Sequence, residues 1–339
     1  MVEKGILVTG GAGYIGSHLV KDLLEDGYRV IALDNLSSGF FEPIEILKKN
    51  YQFDFIKCDL ADKEKLNEIF HKEQIEAVIH LAAKIDILES IKNPNLYHRE
   101  NYVNSINLIE AMMAAHVKNC IFSSTAAVYG NPKYIPIDER HPTNPTNPYG
   151  QTKLDFEKYL SKLENPNYVI LRYFNVGGSD PNGLIGKSHL KSQDLIENII
   201  KVNLGQKKFI EIFGNNYDTR DGTAIRDFVH VEDIAQAHIL ALEKIEKSAK
   251  EIFNLGSEQG FSVKEIIDQA NSIFGKEIPV RAAGPREGDI AVSVASAQKA
   301  KKILGWNPKY SNLDLILQTD WNWRKNHPLG YNENKASFK

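Results

Sequence analysis

An apolar strand, a glycine-rich turn and the start of an amphipathic helix follow one another in the stretch Gly5-Ile-Leu-Val-Thr-Gly-Gly-Ala-Gly-Tyr-Ile-Gly16. Gly10, Gly13 and Gly16 permit a tight turn and leave out the Cβ atoms that would keep a ligand away from the backbone. The helix N-terminus adds free N–H groups and partial positive charge, which favour phosphate binding. The stretch therefore predicts a site for a dinucleotide pyrophosphate; the alternative is a glycine-rich turn that only lets strand and helix pack.

A second apolar run, Val30-Ile-Ala-Leu-Asp34, ends in an acid. Its distance along the chain from the glycines is close to the one expected for a carboxylate that binds the ribose hydroxyls of a dinucleotide. Asn35, Leu36 and Ser37 follow it, so no Arg or Lys is placed there to receive a 2′-phosphate. The pattern therefore predicts NAD rather than NADP as the cofactor.

The composition is that of an ordinary water-soluble protein, with 339 residues, 42% hydrophobic content and a net charge of −3. Such a charge argues against nucleic acid or an anionic membrane as a partner, and we find no apolar stretch that approaches a membrane span. The chain begins directly with the first strand, so we expect no secretory signal. Because Cys58 and Cys120 are its only cysteines, we expect no disulfide framework and a cytoplasmic location.

Apolar runs alternate with helical patterns through the first half of the chain, at residues 6–8, 30–33, 53–56, 77–80, 120–122 and 168–171. Continuous apolar strands separated by helices predict an α/β fold with a Rossmann-type, doubly wound parallel sheet. We expect residues 1–175, joined again by 228–255, to form the NAD-binding domain. Residues 176–227 and 256–330 are predicted to form a smaller C-terminal α/β substrate lobe, with 331–339 as a tail and poor order from His327 onward.

Small or polar residues follow these strands, and ligands of doubly wound sheets bind at the strands' carboxyl ends. Asp59 could accept a hydrogen bond from the adenine amino group, or it could only cap the helix predicted at 63–70. The cofactor-binding residues predicted from these strand ends are Gly10, Gly13, Tyr14, Ile15, Gly16, Asp34, Asn35, Ser38, Gly39, Asp59, Leu60, Leu81, Ala82 and Ala83.

Tyr149 and Lys153 lie four residues apart at the start of a helix that Asn147 can cap, so both side chains share one helical face. A nearby ammonium, together with a positively charged nicotinamide, is predicted to lower the tyrosine pKa towards neutrality and make it a general base. An exposed Tyr-Lys pair is the alternative. Thr125, at the carboxyl end of the fifth strand, adds a hydroxyl at the same sheet edge.

With these residues the chain resembles the extended short-chain dehydrogenase/reductase family, and within it the nucleotide-sugar 4-epimerases. The glycine stretch and Asn-Pro-Tyr-Gly-Gln-Thr-Lys153 mark the superfamily alone, whereas two later motifs are more specific to epimerases. Those two are Asp-Gly-Thr-Ala-Ile-Arg-Asp-Phe-Val-His-Val231 and Arg-Glu-Gly-Asp289. Further matching motifs are Leu-Asp-Asn-Leu36, Phe-Ser-Ser-Thr-Ala-Ala-Val-Tyr-Gly-Asn-Pro132 and Leu-Arg-Tyr-Phe-Asn175.

The resemblance implies NAD-dependent inversion at C4 of a UDP-hexose through a transient 4-keto sugar. Tyr149 then exchanges the proton of the 4-hydroxyl, Lys153 orients the nicotinamide ribose, and Thr125 hydrogen-bonds the same sugar oxygen. Phe174 and Asn101 are implied in the cofactor pocket. The residues implied to bind the UDP-sugar are Thr125, Tyr149, Asn175, Arg226, Arg286, Asp289 and Ser293.

The chain also departs from the family pattern. Lys84 lies one position before the lysine that is usual in the family, and Ile85 stands at that lysine's position. We therefore assign no role to Lys84. Thr125 stands where the family usually has serine, and residues 184–194 diverge, so no contact is transferred there. Ser293 is small where epimerases place the residue near the sugar's second carbon, which suggests that N-acetylated UDP-hexoses are also accepted, unless the serine is incidental.

Three other functions use similar residues. A 4,6-dehydratase needs an acidic pair after the threonine, where this chain has Ala126 and Ala127, and a UDP-glucuronate decarboxylase/epimerase would release carbon dioxide. An NAD-sensing protein without activity would not need Thr125, Tyr149 and Lys153 together.

A wide apolar surface on one predicted helix bears on the oligomeric state. The helix runs from about 101 to 117, beside the one that starts near Tyr149. Its apolar surface favours a homodimer in which both helices pack against their copies in the partner. The alternative is that the surface is buried within one chain by thick packing of these helices. The residues of that surface are Tyr102, Val103, Ile106, Ile109, Met112 and Met113.

Overall fold

The computed structural model describes residues 4–188, 194–246, 250–286 and 289–331. Its strands are β1 (Gly5–Thr9), β2 (Val30–Asp34), β3 (Asp54–Lys57), β4 (Ile75–His80), β5 (Asn119–Thr125), β6 (Asn167–Tyr173), β7 (Asn175–Gly177), β8 (Ile210–Phe213), β9 (Ile225–His230), β10 (Glu251–Leu255), β11 (Gly260–Ser262), β12 (Val280–Ala283) and β13 (Val292–Ser293). Its α-helices are α1 (Tyr14–Glu25), α2 (Glu42–Lys48), α3 (Lys63–Lys72), α4 (Ile87–Lys92), α5 (Pro94–Tyr97), α6 (Asn104–Ala114), α7 (Pro148–Lys162), α8 (Leu195–Asn203), α9 (Val231–Lys244), α10 (Val263–Phe274) and α11 (Leu313–Asn326).

Seven parallel strands form the main sheet in the order β10-β6-β5-β4-β1-β2-β3. Strands β1 and β2 are buried along their whole length, because helices cover both faces of the sheet. Leu19 of α1 and Ile234 of α9 belong to the apolar cluster on one face, and Leu108 of α6 and Phe156 of α7 belong to the cluster on the other. The predicted doubly wound α/β fold is confirmed.

The second half of the chain builds smaller sheets. Strand β9 pairs with β7, β11 and β13, and β8 pairs with β12. Helices α8, α10 and α11 pack together through Ile199, Ile266 and Ile316. Within the predicted return segment 228–255, β9 belongs to the small sheet, whereas β10 is the edge of the main sheet. The exact domain limits stay a prediction.

Several local predictions need correction. The third strand begins at Asp54, one residue later than predicted. Asp62 rather than Asp59 caps α3, since its Oδ1 accepts a 3.0 Å bond from Lys65 N. The helix predicted from residue 101 is a π-helical turn, His98–Val103, followed by α6.

The C-terminal segment also differs from its prediction of poor order, because Tyr331 is buried against Trp323. Residues 332–339 of the predicted tail lie outside the described part of the chain. Within the described ranges, no helix has both the length and the apolar character needed to cross a membrane.

Candidate active site

The glycine turn after β1 is built so closely that side chains cannot enter it. Gly10 has φ +73°, and a Cβ there would lie 2.7 Å from the backbone nitrogen of Ala82. A Cβ on Gly16 would lie 2.0 Å from the carbonyl oxygen of Gly10. In the described part of the chain, no side chain caps α1 at Gly13, and the first turn carries no acid. The start of α1 therefore carries no side chain that would compete with or repel an anionic ligand.

Two carboxylates lie beside this turn. Asp34 at the end of β2 accepts hydrogen bonds from Ala12 N (3.1 Å) and Leu36 N (2.8 Å), while burial raises the pKa of its carboxyl. Asp59 at the end of β3 accepts a 2.7 Å bond from Asn35 Nδ2. Acceptor oxygens next to a phosphate cradle suit the ribose and base of an adenine dinucleotide.

A cavity of about 460 Å³ extends from the glycine turn to the end of β5. It brings together most of the predicted residues, and its size and polar ends fit a dinucleotide. The predicted residues that line it are Gly10, Gly13, Tyr14, Ile15, Gly16, Asp34, Asn35, Ser38, Gly39, Asp59, Leu60, Leu81, Ala82, Ala83, Thr125, Tyr149, Lys153, Phe174 and Asn175.

Asn101 is predicted to contact the cofactor, but it does not line the cavity in the described structure. Its Oδ1 accepts from Lys84 N (2.8 Å), and its Nδ2 donates to Lys84 O (2.9 Å) and to Thr152 Oγ1 (3.2 Å). Asn101 therefore fixes the backbone of Lys84, which does line the cavity despite its shifted position.

Helix α7 delivers the catalytic pair to the cavity. Asn147 caps the helix as predicted, accepting a 2.8 Å bond from Gly150 N. A Cβ on Gly150 would lie 2.7 Å from Ala127 O, so the helix begins in close contact with the residues that follow β5. This contact places Tyr149 beside Thr125, whose side chain favours the ionised form of the phenol.

Burial governs the ionisation of the pair in the protein alone. Burial raises the pKa of Tyr149 to about 12, against a smaller lowering by the bond with Thr125. Burial likewise lowers the pKa of Lys153 to about 7, partly offset by Glu157. The Lys153 ammonium donates to Ser123 O (2.8 Å) and lies 4.8 Å from the ring centre of Phe122. Burial therefore dominates the tyrosine pKa in the protein alone, and the fall towards neutrality, which includes the charge of a bound nicotinamide, stays a prediction.

Behind the pair lies a buried polar network that the sequence does not reveal. Arg172 of β6 donates from Nε to Glu157 Oε1 (2.9 Å) and from Nη1 to Tyr129 Oη (2.9 Å). Ser124 Oγ donates to the same Glu157 oxygen, and Tyr129 donates to Asn254 Oδ1 (2.6 Å). The network joins β5, β6, β10 and α7 directly beneath the cavity.

Four other predicted residues form a separate group near the small sheet and do not line the described cavity. Arg286 donates from Nε to Asp289 Oδ2 (2.8 Å) and stacks 4.6 Å from the ring centre of Phe213. Burial lowers the pKa of Arg226, and neighbouring Arg286 lowers it further while Asp289 raises it. Ser293 is buried and pairs in register with Arg226.

Some cavity residues were not among those predicted. Lys187, Ser188 and Tyr331 reach the cavity from the second half of the chain, and no local motif marks them. Ser123 and Ser124 lie at the carboxyl end of β5 within a motif shared with the family, so that position could have indicated them. The remaining residues of this kind include Ser37, Phe40, Cys58, Glu100, Asn104 and Tyr173.

Comparisons with known proteins agree with this arrangement. The model of the NAD dependent epimerase/dehydratase family matches residues 6–256. A relative from Halalkalibacterium halodurans, named UDP-glucose 4-epimerase, is 47% identical over 335 residues, which cover 97% of this chain and 98% of the relative.

Two solved structures are also similar. The UDP-glucose 4-epimerase from Bifidobacterium longum in complex with NAD+ and UDP has a TM-score of 0.92 and 35% identity, covering 97% of this chain and 100% of that one. The UDP-Glc/GlcNAc 4-epimerase from Campylobacter jejuni has a TM-score of 0.83 and 39% identity, covering 95% of this chain and 99% of that one.

Proposed function

Because this chain belongs to the NAD dependent epimerase/dehydratase family, we propose that it binds NAD and interconverts UDP-glucose and UDP-galactose by inverting the sugar at C4. One observation carries the proposal. A single cavity holds the glycine turn and Asp34 at one end and Thr125, Tyr149 and Lys153 at the other. A dinucleotide held by the first group would present its nicotinamide to the second.

The chemistry follows from the roles of three side chains. NAD, when bound, supplies the acceptor for the hydrogen at C4 and a positive charge near the phenol. Tyr149 Oη exchanges a proton with the sugar 4-oxygen, and the Thr125 hydroxyl hydrogen-bonds that oxygen and holds it in place. Lys153 is positioned by Ser123 O to orient the cofactor ribose. Oxidation at C4 gives a 4-keto sugar, and reduction from the opposite face completes the inversion.

The group near the small sheet suits the UDP part of the substrate. Arg226 and Arg286 supply the charge that a diphosphate needs, and guanidinium groups bind phosphate oxygens in a fixed geometry. The Asp289 carboxylate, held by Arg286, can accept hydrogen bonds from the uridine ribose. We assign these three residues to UDP binding, and Asn175 to the sugar because it lines the cavity beside Phe174.

An assay of the purified protein with UDP-galactose and no added NAD tests the proposal. We expect UDP-glucose to form until both sugars reach equilibrium. Parallel reactions should release no carbon dioxide from UDP-glucuronate and remove no water from UDP-glucose. We expect no loss of water because Ala126 and Ala127 stand where a dehydratase needs an acid and a base. No interconversion even with saturating NAD would contradict the proposal.

Ser293 sets the size limit at the second sugar carbon in our proposal, so UDP-N-acetylglucosamine and its galacto epimer are substrates as well. Ser293→Tyr should reduce turnover of the acetylated sugars by at least about tenfold while UDP-glucose is still converted, because the added ring fills the space for the acetamido group. Ser293→Ala, which removes only the hydroxyl, is the control. Equal turnover of both sugar classes by the Tyr variant would refute this role.

We also propose a homodimer formed through an apolar patch on α6, α7 and the turn before α6. Tyr102 and Tyr159 meet edge to face with ring centres 6.4 Å apart, Ile106 is partly buried, and Val103 is 39% exposed. Val103→Glu should convert the dimer to a monomer in analytical ultracentrifugation, because a carboxylate cannot be buried there unpaired. Ile303, equally exposed at 39%, gives a matched control as Ile303→Glu. A wild-type monomer, or a Val103→Glu dimer, would rule out this interface.

We place the reaction in the reducing cytoplasm. Cys58 and Cys120 are free and buried, and burial raises the pKa of their thiols to about 11 and about 12. Neither thiol is therefore a ready partner for a disulfide.

A further inference from the structure

Tyr331 occupies an unexpected place for a residue so close to the C-terminus. It is 5% exposed and lines the cofactor cavity, and within the described chain it is the one lining residue beyond Ser188. Gly330 has φ +73°, and a Cβ there would lie 2.3 Å from Ser188 Oγ. The turn before Tyr331 therefore leaves no room for a side chain at residue 330.

Contacts of Tyr331 join two other segments of the cavity wall. Its backbone N–H donates to Ser188 Oγ (3.1 Å), and its hydroxyl accepts from Gly186 N (3.0 Å). Its ring lies 5.6 Å from the ring of Phe40, which belongs to the loop after β2. On the other side, its ring meets the edge of the fully buried Trp323 at 4.9 Å. The side chain is thus held from both sides, by Phe40 of the loop after β2 and by Trp323 of α11.

Both joined segments lie next to the phosphate cradle. Phe40 N donates to Ala12 O (3.2 Å), inside the glycine turn. Lys187, between the two residues that Tyr331 contacts, lies 5.2 Å from the ring centre of Tyr14 in the first turn of α1. Its Nζ also donates to Asp194 Oδ2 (3.0 Å), and the pKa of this lysine is raised because Asp194 and other acids outweigh its burial. The segment held by Tyr331 therefore includes a lysine, paired with Asp194, at the wall where a diphosphate would lie.

We propose that Tyr331 is a cofactor-retaining residue, which fastens the 186–188 segment to the Phe40 loop over the bound dinucleotide and slows its release. This inference rests on NAD being the cofactor, as in the proposed function. Tyr331 is a positioning residue here, since it acts through the segments that it joins. Because the cofactor of an epimerase is regenerated in each cycle, slow release of NAD does not limit turnover.

The test measures release of NAD from the holoenzyme, by timed dilution, rapid filtration and quantification of the nucleotide that stays bound. Tyr331→Ala should release NAD about tenfold faster or more, because it removes the ring contacts and the hydroxyl together. Tyr331→Phe keeps the ring and loses the bond from Gly186 N, so we expect an increase of about threefold. Leu329→Ala, at an 80% exposed position of the same segment, is the matched control and should release NAD at the native rate.

A second set of variants separates retention from a general loss of stability. Phe40→Ala should also speed the release of NAD. In the double variant with Tyr331→Ala, the fold-increase in release rate should be smaller than the product of the two single fold-increases. Native release rates in Tyr331→Ala or Tyr331→Phe, even with a lowered melting temperature, would overturn the inference. If the native holoenzyme retains NAD but does not interconvert UDP-sugars, the proposed function fails while the release experiment still decides the role of Tyr331.

Discussion

Tyr149→Phe is expected to lower the rate of UDP-galactose inversion by about 10²- to 10⁴-fold, the contribution of a well-placed general acid or base. The variant keeps the ring and the packing at the start of α7, and it removes only the oxygen that exchanges the proton. Bound NAD should remain on the protein, because the glycine turn and Asp34 are untouched. Initial rates and the NAD content of the purified variant are the two measurements.

Matched controls make the first result specific. Tyr134→Phe removes the hydroxyl of an exposed tyrosine outside the cavity and should keep the native rate. Thr125→Ser preserves the hydroxyl that bonds Tyr149 and should stay within about threefold of native, whereas Thr125→Val should lose more, about tenfold. If Tyr149→Phe inverts the sugar as fast as the native protein, the assignment of the proton-exchanging group is wrong.

Local patterns in the sequence predict the parts of the site that lie within one turn or one helix. The glycine stretch, Asp34 at the end of β2, and the Tyr149–Lys153 spacing each depend on a few consecutive residues. Parallel sheet topology then brings these strand ends to one edge. The six strands predicted in the first half are also close to those observed, because each is marked by a short run of consecutive apolar residues.

What the sequence cannot predict depends on contacts between distant segments. Tyr331 enters the cavity wall only because the segment after α11 packs against Phe40 and Gly186, and Lys187 reaches Tyr14 through an irregular segment without periodicity. The pKa values of Tyr149 and Lys153 are governed by burial, which a four-residue spacing does not report. Asn101 carries a family signal, yet its contacts in the structure go to Lys84 and Thr152.

Arg172→Met is expected to destabilise the protein by about 3–5 kcal/mol, because it leaves the Glu157 carboxylate buried without its cation. Both side chains are 4% exposed, so water cannot replace the lost partner. Urea unfolding should show a lower midpoint with an unchanged m-value. The surface pair Lys63–Glu110, with both side chains more than half exposed, is the control, and Lys63→Met should cost less than about 1 kcal/mol.

The double variant Arg172→Met/Glu157→Leu should recover most of that stability, since a buried ion pair can often be replaced by apolar residues of similar volume. A loss equal to that of Arg172→Met alone would show that packing around β6, and not the unpaired charge, causes the effect.

Activity should not recover with stability in the double variant. Glu157 lies one helical turn after Lys153 and supports the charged form of that lysine, and it also accepts from Ser124 in the cavity wall. Removing the carboxylate therefore lowers the pKa of Lys153 further and frees Ser124, whatever happens to the free energy of unfolding. We expect a stable protein with a rate below native at neutral pH. A stable double variant with the native rate would show that this network holds the fold together and has no part in positioning the catalytic lysine.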